Sequence, residues 1–268
     1  MKPTHVFQAD QIVAGYDHKT ILHGISLVIP GNKISVMIGA NACGKSTLLK
    51  TLARLIKPTS GTVTLDGKPI SKFPPKQLAR VVGLLPQSPI VPEGISVADL
   101  VGRGRFPHQS LLSGWTKKDV EAVAEAMEIM NITELANRNI DELSGGQRQR
   151  VWIAMALAQQ TDILFLDEPT TFLDITYQVE ILDLLTDLNR KKGTTIVMVL
   201  HDINLSARYA DYIFALSQGK LLAEGKPSEV ITSSLVKDIF GLDCTVIPDP
   251  VSGSPMVIPK GRYYVHEG

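Results

Sequence analysis

The sequence predicts an α/β fold, in which a strand-rich core carries an inserted run of helices. Short apolar runs with β-branched residues, which are typical of buried strands, occupy residues 33–38, 162–167 and 194–200. Apolar residues at helical spacing follow the first run, over residues 46–55. From about residue 87 to residue 160 the strand signals give way to helical patterns separated by polar turns.

Composition narrows the class of protein. The 268 residues are 44% hydrophobic and 20% charged, as in a globular protein of one or two domains. Lys plus Arg equals Asp plus Glu at 27 each, so no net charge favours nucleic acid or an acidic membrane. No apolar run suits a membrane span and no secretory signal is evident. The distant Cys43 and Cys244 favour a reducing cytoplasm over a disulfide framework.

A phosphate-binding loop is the strongest motif. Residues 39–47 read Gly-Ala-Asn-Ala-Cys-Gly-Lys-Ser-Thr, which fits G-x-x-x-x-G-K-[ST] between a predicted strand and a predicted helix. Backbone N–H groups and the helix dipole then converge on one spot, which suits a polyphosphate. Lys45 can neutralise the β- and γ-phosphates, and the Ser46 hydroxyl can bind Mg²⁺. An ordinary Gly-rich turn does not explain Lys-Ser in the first helical turn, so we predict a nucleotide site.

Two acidic residues end the predicted strand at 162–167. Asp167 can supply a ligand for Mg²⁺ beside the phosphate loop, and Glu168 can polarise a water for attack on the γ-phosphorus. In isolation such a pair is more often an acidic turn after a core strand. The phosphate loop in the same chain favours the catalytic interpretation.

Three other sites have weaker signals on their own. Tyr16, in a turn upstream of the phosphate loop, could stack on a base. Ser144 is a good helix N-cap, and Gly145 and Gly146 would let a phosphate approach the backbone. His201 follows a predicted strand, at the end where ligands gather in α/β folds.

With these motifs in this order and spacing, the chain resembles the ATPase subunit of ABC transporters over nearly its full length. The resemblance implies a P-loop NTPase core with an antiparallel β subdomain and an inserted α-helical subdomain, all in one nucleotide-binding domain, 1–268. The core with its N-terminal β subdomain would span about 1–86 and 161–240, the helical subdomain about 87–160, and a C-terminal tail 241–268.

The resemblance also implies a role for each motif. The ATP-binding residues would be Tyr16 on adenine, Gly39, Asn41, Ala42, Cys43, Gly44, Lys45, Ser46 and Thr47 of Walker A, Ser144, Gly145, Gly146 and Gln147 of the signature, and Asp174 of the D-loop. The catalytic residues would be Glu168, the Q-loop Gln87 and the switch residue His201. The Mg²⁺ ligands would be Ser46, Gln87 and Asp167.

The chemistry favours a dimer. One phosphate loop supplies donors from one side only, whereas the charge that develops on the γ-phosphate is best stabilised by donors on all sides. In the family two subunits sandwich each ATP between the Walker A of one chain and the signature of the other. The resemblance therefore implies a homodimer, peripheral on the cytoplasmic face of a bacterial membrane. Its partners would be transmembrane permease subunits and an extracytoplasmic siderophore-binding protein, with no nucleic acid.

Four segments narrow the branch. Residues 101–108, 139–149, 168–175 and 246–253 are similar to those of ATPases that serve importers of iron–siderophore complexes. A haem, cobalamin or metal importer keeps the same chemistry and stays open as an alternative. A non-transport ABC ATPase is less favoured, because the chain has one nucleotide domain, no heptad run and zero net formal charge.

Two local expectations follow. Ala42 stands where the family usually has Gly, and a positive φ would cost it about 1–2 kcal/mol, so we expect a negative φ there. In the segment 101–108, we expect Phe106 to fill an apolar notch on the permease. Arg103 or Arg105 would cap carbonyls or pair with acids of that partner.

Overall fold

A computed structural model describes residues 3–17, 19–87, 93–109 and 114–261. The strands are β1 (Phe7–Tyr16), β2 (Lys19–Ile29), β3 (Ile34–Ile38), β4 (Ser60–Leu65), β5 (Lys68–Pro69), β6 (Val82–Leu85), β7 (Ile163–Asp167), β8 (Thr195–Val199), β9 (Tyr212–Ser217), β10 (Lys220–Gly225), β11 (Cys244–Pro248) and β12 (Pro255–Pro259). The α-helices are α1 (Lys45–Leu52), α2 (Pro75–Ala79), α3 (Val97–Gly102), α4 (Lys117–Ile129), α5 (Gly145–Ala158), α6 (Ile175–Lys192), α7 (Ile203–Tyr209), α8 (Pro227–Val230) and α9 (Ser233–Phe240). Short 3-10 helices cover Ile70–Lys72, Arg103–His108, Thr133–Leu135 and Ile140–Glu142.

The central sheet brings the candidate residues to one edge. Its strand order is β10-β9-β3-β8-β7-β6, and all neighbours from β9 to β6 are parallel. Ligands of such sheets bind at the carboxyl ends of the strands. The loops that follow β3, β6, β7 and β8 all leave from that edge. An antiparallel sheet of order β2-β1-β4-β5 lies beside it, and the predicted α/β fold is confirmed.

Both faces of the central sheet are buried. Leu164 and Leu166 of β7 pack in an apolar cluster with α5 and α6. The alternate residues Ile163 and Phe165 face the antiparallel sheet, where the ring centroids of Phe165 and Phe7 lie 5.6 Å apart. Burial on both faces explains why this strand is a continuous apolar run and not an alternating one.

Helices α3, α4 and α5 lie between β6 and β7 in the chain and pack on one another. A buried ion pair joins the segment 101–108 to them. Arg105 Nε donates to Asp119 Oδ1 over 2.9 Å, and Arg105 Nη1 donates to the Ala158 carbonyl over 2.7 Å. Hydrogen bonds from Thr116 and Arg105 hold the pKa of Asp119 at about 2. The expectation that Arg105 is available to a partner is therefore wrong, because the acid and the carbonyl that it contacts belong to its own chain.

The C-terminal segment forms a hairpin. Strands β11 and β12 pair antiparallel, from Cys244 opposite Pro259 to Pro248 opposite Pro255. The side chains of Cys244 and Val257 lie in the main apolar cluster. Within the described ranges, no helix is long and apolar enough to cross a membrane.

Candidate functional site

The predicted phosphate loop connects β3 to α1. Two glycines give it its shape. Gly39 has a φ of 154°, and a Cβ there would lie 2.4 Å from the Leu216 carbonyl oxygen. Gly44 has a φ of 107° at the N-cap of α1, and a Cβ there would lie 2.9 Å from Leu22 Cδ2. At Gly39 a side chain would collide with the backbone of β9, and at Gly44 the positive φ disfavours any residue with a Cβ, so both positions favour glycine.

A second turn, at Gly219, is hydrogen-bonded to the phosphate loop. The Gly219 N–H donates to the Cys43 carbonyl over 2.9 Å, and the Gly219 carbonyl accepts from the His23 N–H over 2.8 Å. A Cβ at Gly219 would lie 1.9 Å from the Ile21 carbonyl oxygen. This turn joins β9 to β10, far along the chain from the phosphate loop. Only the tertiary structure places this turn against the phosphate loop.

Lys45 and Cys43 are both buried in the loop. Lys45 is 5% exposed, and its Nζ donates to the carbonyls of Gly39 (2.8 Å) and Ala40 (3.0 Å). The Cys43 thiol is 6% exposed and packs in the core cluster beneath the loop. The backbone of Cys43, and not its thiol, is therefore available at the N-terminus of α1.

The expected negative φ at Ala42 is wrong. Ala42 has a φ of 60°, in the left-handed region. We attribute this angle to the short connection between Gly39 and Gly44, through which the chain must turn from β3 into α1. Alanine adopts that conformation at a cost of about 1–2 kcal/mol.

Ser46 and Asp167 lie together under the loop. Ser46 Oγ donates to Asp167 Oδ1 over 2.8 Å. The Asp167 side chain is 1% exposed, and its Oδ2 has no hydrogen-bond partner within the described residues. Burial raises the pKa of Asp167, against the hydrogen bond from Ser46 and the charge of Lys50. A buried carboxylate oxygen with no donor beside a serine hydroxyl is a pair of ligands suited to a hard cation.

The Glu168 carboxylate contacts three side chains. Its Oε1 lies 2.7 Å from His201 Nε2. Its Oε2 accepts from Gln87 Nε2 over 2.6 Å and from Thr171 Oγ1 over 3.0 Å. Glu168 has a φ of 56°, which neighbouring contacts must sustain in a non-glycine residue. Thr171 is the residue of this group that the sequence analysis missed, and its only signal was its position three residues after Glu168.

The segment 144–147 begins a helix away from the phosphate loop. Ser144 caps α5 in a capping box with Gln147, and Ser144 and Gly145 are exposed. A Cβ at Gly146 would lie 3.1 Å from the ring of Tyr177 in α6. Across the described ranges, no hydrogen bond or ion pair joins residues 144–147 to the phosphate loop.

Comparison with known proteins gives the family. The family model described as ABC transporter matches residues 22–171. The chain belongs to the ABC transporter ATPases. The chain is 50% identical to the ferric enterobactin transport ATP-binding protein FepC of Escherichia coli K12, over 95% of this chain and 94% of that protein. It is 49% identical to the petrobactin import ATP-binding protein FpuD of Bacillus anthracis, over 95% and 93%.

A solved ABC cassette has the same fold. A dimeric post-hydrolysis state of an ATP-binding cassette, bound to ADP and Pi, matches this chain with a TM-score of 0.72 and 29% identity. The match covers 82% of this chain and 98% of the cassette. The fold and the ATPase family that the motifs predicted are thereby confirmed.

The other predicted site residues, Tyr16 and Asp174, belong to separate elements. Tyr16 ends β1 in a hairpin whose second strand, β2, packs Leu22 beside Gly44, and the Tyr16 side chain is 48% exposed. Asp174 is the N-cap of α6, where its Oδ1 accepts from the Tyr177 N–H over 3.1 Å. Within the described residues Gln87 is hydrogen-bonded to Glu168 and makes no hydrogen bond to Ser46 or Asp167. Its predicted role as a metal ligand stays a prediction.

Proposed function

We propose that this chain is the ATP-hydrolysing subunit of a bacterial importer of iron–siderophore complexes, acting as a homodimer beneath a membrane permease. The observation that supports hydrolysis is the carboxylate of Glu168, held by Gln87, Thr171 and His201 at the edge of the sheet where the phosphate loop lies. The cargo class is supported by relatives near 50% identity that carry names of ferric enterobactin and petrobactin transport.

Glu168 would act as the base for the attacking water. The water oxygen forms a bond to the γ-phosphorus, the bond to the bridging oxygen of ADP breaks, and Glu168 receives the proton. Three partners fix the orientation of the carboxylate, so little reorganisation is needed when the water binds. His201 and Gln87 come from loops after two other strands and would relay the presence of the γ-phosphate to this carboxylate.

Asp167 Oδ2, which has no hydrogen-bond partner among the described residues, supports an Mg²⁺ ion bound with ATP. Ser46 and Asp167 would hold the ion, which when bound neutralises charge on the phosphates. Lys45 would release its two loop carbonyls and donate to the phosphates instead. Lys45 and Ser46 are held by the turn that Gly39 and Gly44 allow, and Asp167 by its place at the end of β7.

A second copy of the chain would complete the site. Ser144 and Gly145 are exposed, and no bond joins them to their own phosphate loop within the described residues. The related cassette bound to ADP and Pi is dimeric. A second subunit would bring its signature over the ATP that the first subunit holds, and Asp174 at the start of α6 would lie in the same interface.

Replacing Ala42 with glycine should tighten ATP binding. Glycine adopts a φ of 60° without the strain that alanine bears, so the binding conformation of the loop becomes more populated. A relief of about 1 kcal/mol corresponds to about fivefold in the apparent Kd for ATP, measured by nucleotide titration. Ala40→Gly is the matched control, since the φ of Ala40 is not positive and glycine there adds only flexibility. Weaker binding by Ala42→Gly than by Ala40→Gly would contradict the strain argument.

Phe106 would anchor the permease. It is 67% exposed, and its ring lies 5.0 Å from Lys76 Nζ. The segment around it is fixed to the core and to the end of α5. Arg80 Nε donates to the Pro107 carbonyl over 3.0 Å, and His108 Nε2 lies 2.8 Å from the Gln159 carbonyl oxygen. A rigid exposed aromatic of this kind is typical of an interface anchor.

Phe106→Ala should therefore leave ATP binding by the isolated subunit unchanged and weaken its assembly with the permease by at least about tenfold. Co-purification and transport-coupled hydrolysis measure the effect. Phe240→Ala is the matched control, because Phe240 is a partly exposed Phe at the end of α9. Arg105 is left in place, since its loss would strand Asp119 in the interior at a cost of about 3–5 kcal/mol. Wild-type assembly by Phe106→Ala would place the docking surface elsewhere.

The cargo is tested by transport. The chain is co-expressed with its permease and binding protein, and ATP-dependent uptake is measured for iron–siderophore chelates, haem, cobalamin and free metal ions. We expect uptake of ferric siderophores alone, and its loss with Glu168→Gln. Uptake of haem or cobalamin would show that the chain serves another class of importer. Hydrolysis without dependence on any permease would favour a non-transport ABC ATPase.

A further inference from the structure

The C-terminal hairpin, residues 244–259, lies on the helix that begins just after His201. Helix α7 spans seven residues, Ile203–Tyr209, and a helix of two turns has little stability of its own. Asp202 caps it through Oδ1, which accepts from the N–H groups of Asn204 and Leu205 over 2.8 Å each. The position of α7, which begins two residues after His201, therefore depends on what packs on the helix, and β3, α8 and the hairpin all contact it.

The first contact is a paired amide. Asn204 Oδ1 accepts from the Val257 N–H over 2.7 Å, and Asn204 Nδ2 donates to the Val257 carbonyl over 3.2 Å. The side chain thus pairs with β12 through both of its polar atoms, as a neighbouring strand would. Val257 is itself 4% exposed, so the strand that Asn204 contacts is held in the core.

The second contact holds the other end of α7. Arg208 Nη2 donates to Asp249 Oδ2 over 2.6 Å. Asp249 Oδ1 accepts from the N–H groups of Val251 and Ser252, so the same carboxylate shapes the turn between β11 and β12. The hydrogen bond from Arg208 and those backbone N–H groups hold the pKa of Asp249 at about 2, so the contact persists across physiological pH.

We propose that the hairpin 244–259 is a brace for the switch loop, and that Asn204 and Arg208 are positioning residues for hydrolysis. They hold α7 where His201 Nε2 reaches Glu168 Oε1, at 2.7 Å. The brace rests on the proposed role of His201 in hydrolysis. Residues 244–259 would then influence hydrolysis without contacting Glu168 or His201 themselves.

The test measures kcat and KM for ATP on the full chain, with a mutant cycle. Asn204→Ala should lower kcat by about tenfold with little change in KM, because it displaces a catalytic contact and not a binding contact. In the His201→Ala background the same change should have no further effect, under single-turnover conditions with excess enzyme. The matched control is Asn189→Ala near the end of α6, which also removes a hydrogen bond that a side-chain amide donates to a backbone carbonyl, here that of Thr194. We expect it to leave kcat unchanged.

Arg208→Met gives a second, milder probe. The Arg208 side chain is 38% exposed but that of Asp249 only 5%, so the change removes the cation from a buried carboxylate, and thermal unfolding is measured beside kcat. The N–H groups of Val251 and Ser252 still donate to Asp249 Oδ1, and we expect a fall in kcat of up to about fivefold. Wild-type kcat in both variants, or an equal loss in the His201→Ala background, would overturn the brace while leaving the proposed function intact. Wild-type kcat in His201→Ala alone would instead overturn the role proposed for His201.

Discussion

The Glu168→Gln protein is expected to bind ATP with wild-type affinity and to hydrolyse it at least about a hundredfold more slowly. The amide has the shape of the carboxylate but accepts no proton from water. It can keep its place with its NH2 toward His201, because the ring nitrogen can accept in its other tautomer. The amide oxygen then still accepts from Gln87 and Thr171. This one substitution therefore separates ATP binding from ATP hydrolysis.

With hydrolysis blocked, ATP should hold two subunits together. Size-exclusion chromatography of Glu168→Gln should show a dimer with ATP and a monomer with ADP, whereas the wild-type protein returns to monomer as ATP is consumed. Glu134→Gln serves as the control, since Glu134 is an exposed carboxylate in the helical segment. Substantial turnover by Glu168→Gln would assign the base to another residue.

The part of the site that could be predicted from the sequence depends on neighbours in the chain. The apolar run before Gly39 and the helical spacing after Lys45 predict a strand and a helix, and the loop between them needs no distant residue to be recognised. The same holds for β7 and the acids that end it. Parallel pairing then places the ends of β3 and β7 at one edge, so Asp167 beside Ser46 follows from the topology.

The part that could not be predicted depends on distant contacts. The support of the phosphate loop by Gly219 requires β10 to return beside β2, which no local pattern encodes. The φ of Ala42 is imposed by loop closure against alanine's own preference. Arg105 belongs to a basic and aromatic segment that is typical of a surface, yet the packing of α4 on α5 buries Arg105 with Asp119. In each case tertiary structure overrides a local signal.

Lys45→Ala should give the opposite result to Glu168→Gln, because it removes a charge that the bound nucleotide needs before any chemistry begins. The ammonium is 5% exposed and already lies within the loop, 2.8 Å from the Gly39 carbonyl. Charge-assisted hydrogen bonds of this kind contribute about 1.5–3 kcal/mol each. We therefore expect the Kd for ATP to rise by at least about tenfold and hydrolysis to fall with it.

Nucleotide titration of Lys45→Ala and of Lys57→Ala measures this loss, since Lys57 carries the same charge on the exposed loop after α1. Thermal unfolding without nucleotide checks that the loop survives, because the alanine also leaves the carbonyls of Gly39 and Ala40 without their donor. Lys45→Ala in the Glu168→Gln background should form no ATP-bound dimer, because the nucleotide that joins the subunits is not held. If the double variant dimerises with ATP to the same extent as Glu168→Gln, then ATP binding in the ground state does not need this charge. Lys45 would then act only by stabilising the transition state.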